Sequence, residues 1–427
     1  MVRMVIVGFS LIMASWWFGL VFYPPTPNAK SYIHEFLYLT GLLAWACMVA
    51  SLVIAARPAW IERVTRTSLD RLYLWHRYLA IAALVLTIIH WYGKELSAPF
   101  MRFFVLEPFK RQVSQSATNW DIFWSWVRQV TDLTIEPVTM IVLFLVVVSF
   151  VRYLPYNHWF RLHKLFPILF IPLSIHCIRM MDGADVMLPF GMLNVVITLV
   201  GLWFSFQILF FGVGNQKRMV AKVVGVQNLS NYTCLKIKPE HAVAAQAGQF
   251  FFLSVDGKEY HPFSIAQLNG DETLDFIVKN SGDYTSTVIP KLAIGNCLYI
   301  EGPWGGFLPN VSNADQVWVA SGVGIVPFMS WMQYFSNCEG ERHIELLWCV
   351  KNQQQEALMP KVVDLCKSSR VMLRVFDSKK CRFNPSSYFE EKPSVPWIAT
   401  CTQQKLNDEI VSATKQVNIH HEYFQWR

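Results

Sequence analysis

Four of the eleven histidines lie deep in strongly apolar stretches, His76 and His90 in one and His163 and His176 in another. Ionisable side chains are costly in a bilayer interior, and those retained there usually serve a function. Neutral imidazole is a good axial ligand for haem iron, and two helices offering two histidines each can hold two six-coordinate haems, one above the other. The expected pairs are His76 with His163 and His90 with His176. Their separations of 14 and 13 residues correspond to roughly 20 Å of helix, but fourteen residues return within roughly 40° of one face whereas thirteen miss it by roughly 140°. Pro167 and Pro172 lie between His163 and His176, and proline bends or rewinds a helix, so the mismatch is expected to be absorbed there. A core hydrogen-bonding role would suit any one of these histidines; four at matched depths favour ligation. His34 and His158, at span edges, read as interfacial. Arg71, Arg77 and Lys164 can pair with inner haem propionates or simply mark the cytoplasmic side, and Arg179 is a candidate for an outer propionate or an acceptor contact.

A second group of chemistry-bearing residues lies in the other half. His261-Pro262-Phe263-Ser264 follows a strand-like run, and a serine hydroxyl beside an aromatic ring can contact a flavin, although the same tetrapeptide could be a turn. Lys279-Asn280-Ser281-Gly282-Asp283-Tyr284-Thr285 then leads into a predicted short helix. A lysine, close backbone approach at Gly282 and a helix N-terminus form an anion site suited to pyrophosphate. After Gly302-Pro303-Trp304-Gly305-Gly306, the run Ala320-Ser321-Gly322-Val323-Gly324-Ile325-Val326-Pro327 joins a strand to a helix, as a dinucleotide phosphate turn does. The full G-x-G-x-x-G fingerprint is absent, so the weight rests on the motifs appearing in order.

The elements that must hold these residues follow from composition. Hydrophobic residues make up 53% and charged residues 16% of 427, against a charged share of roughly 25% in soluble domains. The apolar excess is confined to the first half, which offers six spans near 2–22, 36–56, 70–92, 136–155, 159–180 and 190–212. Basic residues cluster at their ends: Arg57, Arg63 and Arg66; Arg152, Arg161 and Lys164; Lys217 and Arg218. The positive-inside rule puts these three connections in the cytoplasm, with both termini and the soluble half, in an inner or plasma membrane of bacterial type. This distribution also argues against a nucleic-acid partner despite the net charge of +7. The segment before Tyr23-Pro24-Pro25 lacks a small-residue cleavage site and reads as an uncleaved helix. Residues 93–135 read as a long outer loop in which Trp120, Phe123, Trp124 and Trp126 mark an interfacial segment. Nine scattered cysteines with no C-x-x-C pair argue against a zinc ribbon or iron–sulfur cluster.

Short alternating runs over 217–310 fit a small antiparallel barrel. Beyond it, apolar runs at 316–320, 344–350, 371–376 and 396–400 alternate with helical stretches in a Rossmann-like pattern. The expected architecture is therefore a multi-domain membrane protein: a six-helix transmembrane haem-binding bundle (1–215), an antiparallel β-barrel FAD domain (216–311) and an α/β Rossmann-like NAD(P)-binding domain (312–427).

With these motifs in order, the chain resembles the ferric reductase and NADPH oxidase family, whose dehydrogenase half is similar to ferredoxin-NADP reductase. The resemblance covers nearly the whole chain except 93–135. It implies FAD, two b-type haems and NADPH or NADH as cofactors. It also implies an oxidoreductase that sends electrons across the membrane to a small external acceptor, with dioxygen, a ferric chelate and a periplasmic redox protein as alternatives. By the same resemblance His261, Pro262, Phe263 and Ser264 line the flavin, and Lys279, Gly282 and Thr285 hold its pyrophosphate. Gly322, Gly324 and Pro327 form the nicotinamide-side turn. Cys401 matches the family's late cysteine, although Thr402-Gln403 stands where the family has Gly-Pro. Lys351 lies where an arginine often holds the 2′-phosphate, a mild lean to NADPH, since lysine lacks the bidentate fork. In the terminal His421-Glu422-Tyr423-Phe424-Gln425-Trp426-Arg427, Phe424, with Trp426 second, is the aromatic expected to stack on the flavin. The oligomeric state is not legible.

Overall fold

In the first half, long runs without charge form the helices α1 (Val2–Phe22), α2 (Ala29–Ala56), the short α3 (Ile61–Thr65), α4 (Leu69–Phe103), α5 (Asn119–Ser149), α6 (Tyr156–His163), α7 (Phe166–Arg179) and α8 (Pro189–Phe211). The computed structural model describes all residues except 1, 23, 25–28, 104–118, 152–155, 181–187, 339–341, 393–394, 415–417 and 423–427. Among the described residues six spans are long and apolar enough to cross a membrane, the fifth being His158–Arg179. Large apolar side chains such as Trp17, Phe144, Trp203 and Phe210 point outward, as a lipid-facing surface requires.

Two expectations are corrected. Residues 93–135 are not one long loop, because α4 runs on to Phe103 and α5 already begins at Asn119. Loss of hydropathy marks where a bilayer core ends, whereas a helix continues until a breaker stops it. Trp120, Phe123 and Trp124 thus open α5, and Trp126 is exposed on it. The fifth span is not a continuous helix either. Pro167 has no amide to donate to the His163 carbonyl, and the chain instead makes a tighter Leu165 N–H to Leu162 O bond of 3.0 Å before restarting as α7. The interruption lies at Lys164–Leu165, and Phe166 and Pro167 open α7.

Helix packing in lipid relies on close van der Waals fit and hydrogen bonds, because lipid tails are as apolar as the side chains. Trp45 of α2 stacks on Phe170 of α7, with ring centres 4.3 Å apart, and its indole N–H donates to Thr198 Oγ1 of α8 at 2.9 Å. These contacts draw α2, α7 and α8 around one buried cluster.

The chain divides into two compact units, residues 1–67 with 72–215, and 68–71 with 216–427. In the second, β1 (Arg218–Leu229), β2 (Tyr232–Pro239), β3 (Phe250–Ser254), β4 (His261–Leu268), β5 (Leu274–Lys279) and β6 (Cys297–Trp304) form a closed antiparallel barrel in the order β1-β2-β5-β4-β3-β6, with α9 (Asp283–Thr287) after β5. Alternate residues such as Val223, Leu235, Phe251, Ile265, Phe276 and Ile300 fill it, as the two-residue strand period dictates.

The remaining elements are β7 (Gln316–Ser321), α10 (Val326–Ser336), β8 (Ile344–Val350), α11 (Met359–Ser369), β9 (Met372–Asp377), α12 (Pro385–Glu391), β10 (Trp397–Cys401), α13 (Gln404–Ala413) and β11 (Asn418–His421). The sheet is parallel, in the order β11-β10-β7-β8-β9. β11 is a strand that the apolar runs did not announce. Because successive strands leave β7 first on one side and then on the other, its carboxyl end is a topological switch point, where α/β sheets open a crevice for ligands. The register sets Ser321 beside Cys349 and Ala320 beside Cys401 at that end.

Candidate functional site

In the transmembrane unit the two α4 histidines are held alike. His76 Nδ1 lies 3.0 Å from the carbonyl oxygen of Ser51 and 2.8 Å from its hydroxyl, and His90 Nδ1 lies 2.9 Å from the carbonyl oxygen of Leu37. A carbonyl can only accept, so in both rings Nδ1 carries the proton and Nε2 keeps a lone pair for a metal. Leu37 and Ser51 are separated by the same 14 residues as His76 and His90, so one antiparallel helix pair repeats one arrangement at two depths. At the lower-numbered level on the opposite side, Ser149 donates its hydroxyl proton to Leu145 O at 2.7 Å, which leaves its oxygen to accept from His163 Nδ1 at 3.3 Å. His163 therefore also presents Nε2. His176 Nδ1 is buried and has no hydrogen-bond partner among the described residues.

The rings of His76 and His163 have centres 6.0 Å apart. Two imidazoles bonded to one shared metal atom at about 2 Å each stand with centres about 6 Å apart, so the residues fit a group ligated from both sides. At the other level Arg179 follows His176 by three residues on α7 and Lys94 follows His90 by four on α4, each about one turn beyond its histidine. A Cβ on Gly41 would come within 3.1 Å of the His90 ring, so glycine lets α2 approach closely enough to hold it. Among the described residues no cluster of three or more His, Cys, Asp or Glu could bind a bare metal ion.

Arg179 does not stand free for a propionate. Its guanidinium grips both carboxylate oxygens of Asp132 on α5, and one turn further along the same helix Glu136 accepts from Lys94 Nζ at 2.9 Å. Bidentate geometry makes the arginine pair the stronger of the two. Arg77 lies 5.7 Å over the Phe150 ring and Lys164 lies 4.4 Å over Phe160.

In the second unit His261 stacks on Tyr284, with ring centres 4.2 Å apart, and its Nε2 lies 3.1 Å from Glu259. Burial pulls the imidazole below its ordinary pKa, opposed by Glu259. Pro262 and Phe263 pair with Phe252 and Phe251 in the barrel wall. The Ser264 hydroxyl is buried without a hydrogen-bond partner among the described residues. An orphaned buried hydroxyl carries a desolvation cost that a polar ligand removes, so this position fits a flavin contact. Thr285 is otherwise engaged: its hydroxyl oxygen accepts from the Ser281 and Gly282 amides at 3.1 and 3.0 Å. Those two amides are therefore already used, which leaves Lys279 as the cationic part of the expected anion site.

Lys279 and the glycine turn converge. A Cβ on Gly322 would lie 3.9 Å from Lys279 Nζ, and Gly322 itself has φ +53°, a left-handed conformation that glycine adopts freely. Trp348 clamps the turn by donating to Gly322 O at 3.0 Å. A Cβ on Gly324 would come within 2.1 Å of the Cys401 carbonyl oxygen, so only glycine fits there. Pro327 is buried in the first turn of α10, whereas Lys351 is exposed just beyond β8. Cys401 is buried, and burial raises its thiol well above the ordinary range, so it is not a thiolate. Phe424 and Trp426 lie outside the described residues.

Residues 40–173 match the family described as ferric reductase like transmembrane component, and residues 217–315 match the FAD-binding domain. Two successive stretches of the chain are thus similar to a ferric reductase-like transmembrane component and to an FAD-binding domain. Among curated proteins it is 30% identical over 148 residues to the flavohemoprotein of Bacillus subtilis (strain 168), covering 33% of this chain and 37% of that protein. It is 23% identical over 367 residues to dual oxidase 2 of Rattus norvegicus, covering 79% of this chain and 23% of that protein. The chain thus spans well under half the length of either relative. Among solved structures it is similar to ferredoxin-NADP+ reductase from Plasmodium falciparum, with TM-score 0.41 and 18% identity over 48% of this chain and 97% of that one.

Several residues around the transmembrane component's histidines escape a sequence reading. Leu37 acts through its backbone carbonyl, which leaves no trace in residue type, and Ser51 adds a hydroxyl to its own carbonyl. Asp132 and Glu136 did carry a signal, two acids one turn apart at the edge of an apolar span. In the second unit Glu422 is buried, and burial holds its carboxyl well above the ordinary range.

Proposed function

We propose that this chain carries electrons from cytoplasmic NAD(P)H across the membrane, by way of FAD and two b-type haems, to dioxygen, which leaves as superoxide. The observation that carries this reading is the repeated anchoring of His76 and His90, whose Nδ1 protons are tied to carbonyls 14 residues apart on α2. When bound, FAD supplies the conversion of a two-electron donor into the one-electron steps that haem iron can accept. His76 and His163 would hold one haem and His90 and His176 the other. The α2 carbonyls keep the α4 rings in the tautomer that leaves Nε2 available to ligate.

In the second unit Ser264 would contact the flavin, with His261, Pro262 and Phe263 lining it and Lys279 countering its pyrophosphate. Gly322, Gly324 and Pro327 would shape the nicotinamide side beside Cys401, with Lys351 as the candidate contact for a 2′-phosphate and Phe424 as the aromatic that would stack on the flavin. A thiol kept neutral by burial can pack against a nicotinamide ring without competing as a nucleophile. Similarity to dual oxidase over 79% of the chain supports the oxidase reading. So does the pairing of Lys94 and Arg179 with acids, because a ferric chelate, usually anionic, would be drawn by unpaired cations. A ferric-chelate reductase is the second reading and a periplasmic redox partner the third.

The test is NAD(P)H oxidation by the FAD-supplemented protein in air, with cytochrome c reduction followed with and without superoxide dismutase and ferric chelate. Fast turnover that dismutase suppresses in the cytochrome c readout and chelate does not increase is expected. Slow turnover that chelate accelerates would make it a ferric reductase.

A further inference from the structure

At the end of the bundle that carries His90 and His176, four charged side chains are arranged as two matched ion pairs. Lys94 follows His90 by four residues on α4, and Arg179 follows His176 by three on α7. Each cation therefore stands about one turn beyond a histidine of the same pair. Their counter-ions come from a third helix: Asp132 and Glu136, four residues apart, share one face of α5. Asp132 takes Arg179 and Glu136 takes Lys94. Because each cation follows one of these histidines by about one turn of its own helix and each acid pairs with one of the cations, the pairs border the point where the proposed route ends.

We propose that Asp132 and Glu136 are specificity-determining residues: they neutralise Arg179 and Lys94 around the last histidine pair, so that the exit favours a neutral acceptor over an anionic one. Two helix-borne cations alone would present +2 to an approaching acceptor, whereas the four residues together present zero. A trivalent anion about 10 Å from one uncompensated charge gains a factor of about ten in local concentration at low ionic strength, and a trivalent cation loses as much. Dioxygen, being uncharged, gains nothing from bare cations. The inference rests on the electron-exit reading above.

Two membrane-impermeant one-electron acceptors of opposite charge, ferricyanide and hexaammineruthenium(III), test it in the full-length, haem- and FAD-loaded protein at low salt. Each NAD(P)H oxidised releases one proton and two electrons and so reduces two ions of either acceptor. Rates are taken as the difference from His90→Leu, which removes direct reduction by the flavin. In Asp132→Asn and in Glu136→Gln the ferricyanide-to-ruthenium ratio of kcat/KM is expected to rise at least tenfold, with the rise collapsing in 1 M salt. Arg179→Gln, which leaves Asp132 uncompensated, is expected to move the ratio the other way, and keeps the inference testable if an α5 variant loses its haem. A ratio unmoved in all three variants, with both acceptors still reduced through His90, overturns the inference and leaves the electron-exit reading standing. Rates in the unaltered protein no greater than in His90→Leu overturn both.

Discussion

A hydroxyl buried without a hydrogen-bond partner among the described residues is the most direct chemical statement the second unit makes. If Ser264 contacts the flavin, Ser264→Ala removes one hydrogen bond of about 1 kcal/mol, and FAD affinity should fall about fivefold, read by flavin-fluorescence titration with the fold intact. An unchanged affinity would detach this serine from the site. His421 and Glu422, adjacent in the chain and both buried, make an opposite pair of pH statements. Burial lowers His421 from 6.5 to about 4, so between those values the unfolded chain binds more protons. Its contribution is complete above pH 6.5 and is lost as pH falls toward 4. Burial raises Glu422 above its ordinary 4.5, so its contribution is complete below that value and is lost as pH rises above it. The temperature of flavin release, followed against pH, should therefore lose slope between about pH 4 and 6.5 in His421→Asn, and above pH 4.5 in Glu422→Gln. Limbs that match the unaltered protein would mean that neither group is buried as described. Of these residues, Ser264 was legible from its motif; the burial of Glu422 was not, because β11 beside it is too short and polar to announce itself.

At the scale of elements, the break between α6 and α7 decides whether thirteen residues can stand where fourteen stand on α4. The two prolines after His163 pointed to the region, and Pro167 supplies the reason, but the place of the break, Lys164–Leu165, depends on the Leu165–Leu162 bond that only the folded chain shows. Inserting one alanine between Leu165 and Phe166 would turn His176 by about 100°. Haem content should then fall from two per chain toward one; retention of two would show that the span absorbs the rotation. The glycine turn after β7 gives a parallel case. Gly324→Ala places a methyl group 2.1 Å from the Cys401 carbonyl oxygen, so the turn must shift, at a cost of about 1–3 kcal/mol. Flavin reduction by NAD(P)H should slow at least tenfold while bound FAD is retained, measured by stopped-flow bleaching of the flavin; equal loss of FAD would point to a general folding defect instead. Helix existence was legible from hydropathy, whereas the far ends of α4 and α5 were not, since polar residues such as Lys94 and Glu95 end a membrane run without ending a helix.

For the whole molecule, two apolar levels of histidine and a barrel similar to an FAD-binding domain in one chain are what the proposed movement of electrons across the membrane requires. The half-and-half composition announced this division, and the family matches at 40–173 and 217–315 fall on its two sides. What composition could not convey is which contacts hold the histidines and the charges near them: carbonyls of α2 for His76 and His90, Ser149 for His163, and the α5 acids for Lys94 and Arg179, all joined across long stretches of sequence. The most direct test is anaerobic addition of NADPH to the FAD-loaded, purified protein, with haem absorbance followed in the unaltered chain and in His90→Leu. Two haems per chain, both reduced in the unaltered protein, and one reducible haem in His90→Leu are the predicted results. A flavin that bleaches while haem stays oxidised, or a protein that binds no haem, would contradict the account.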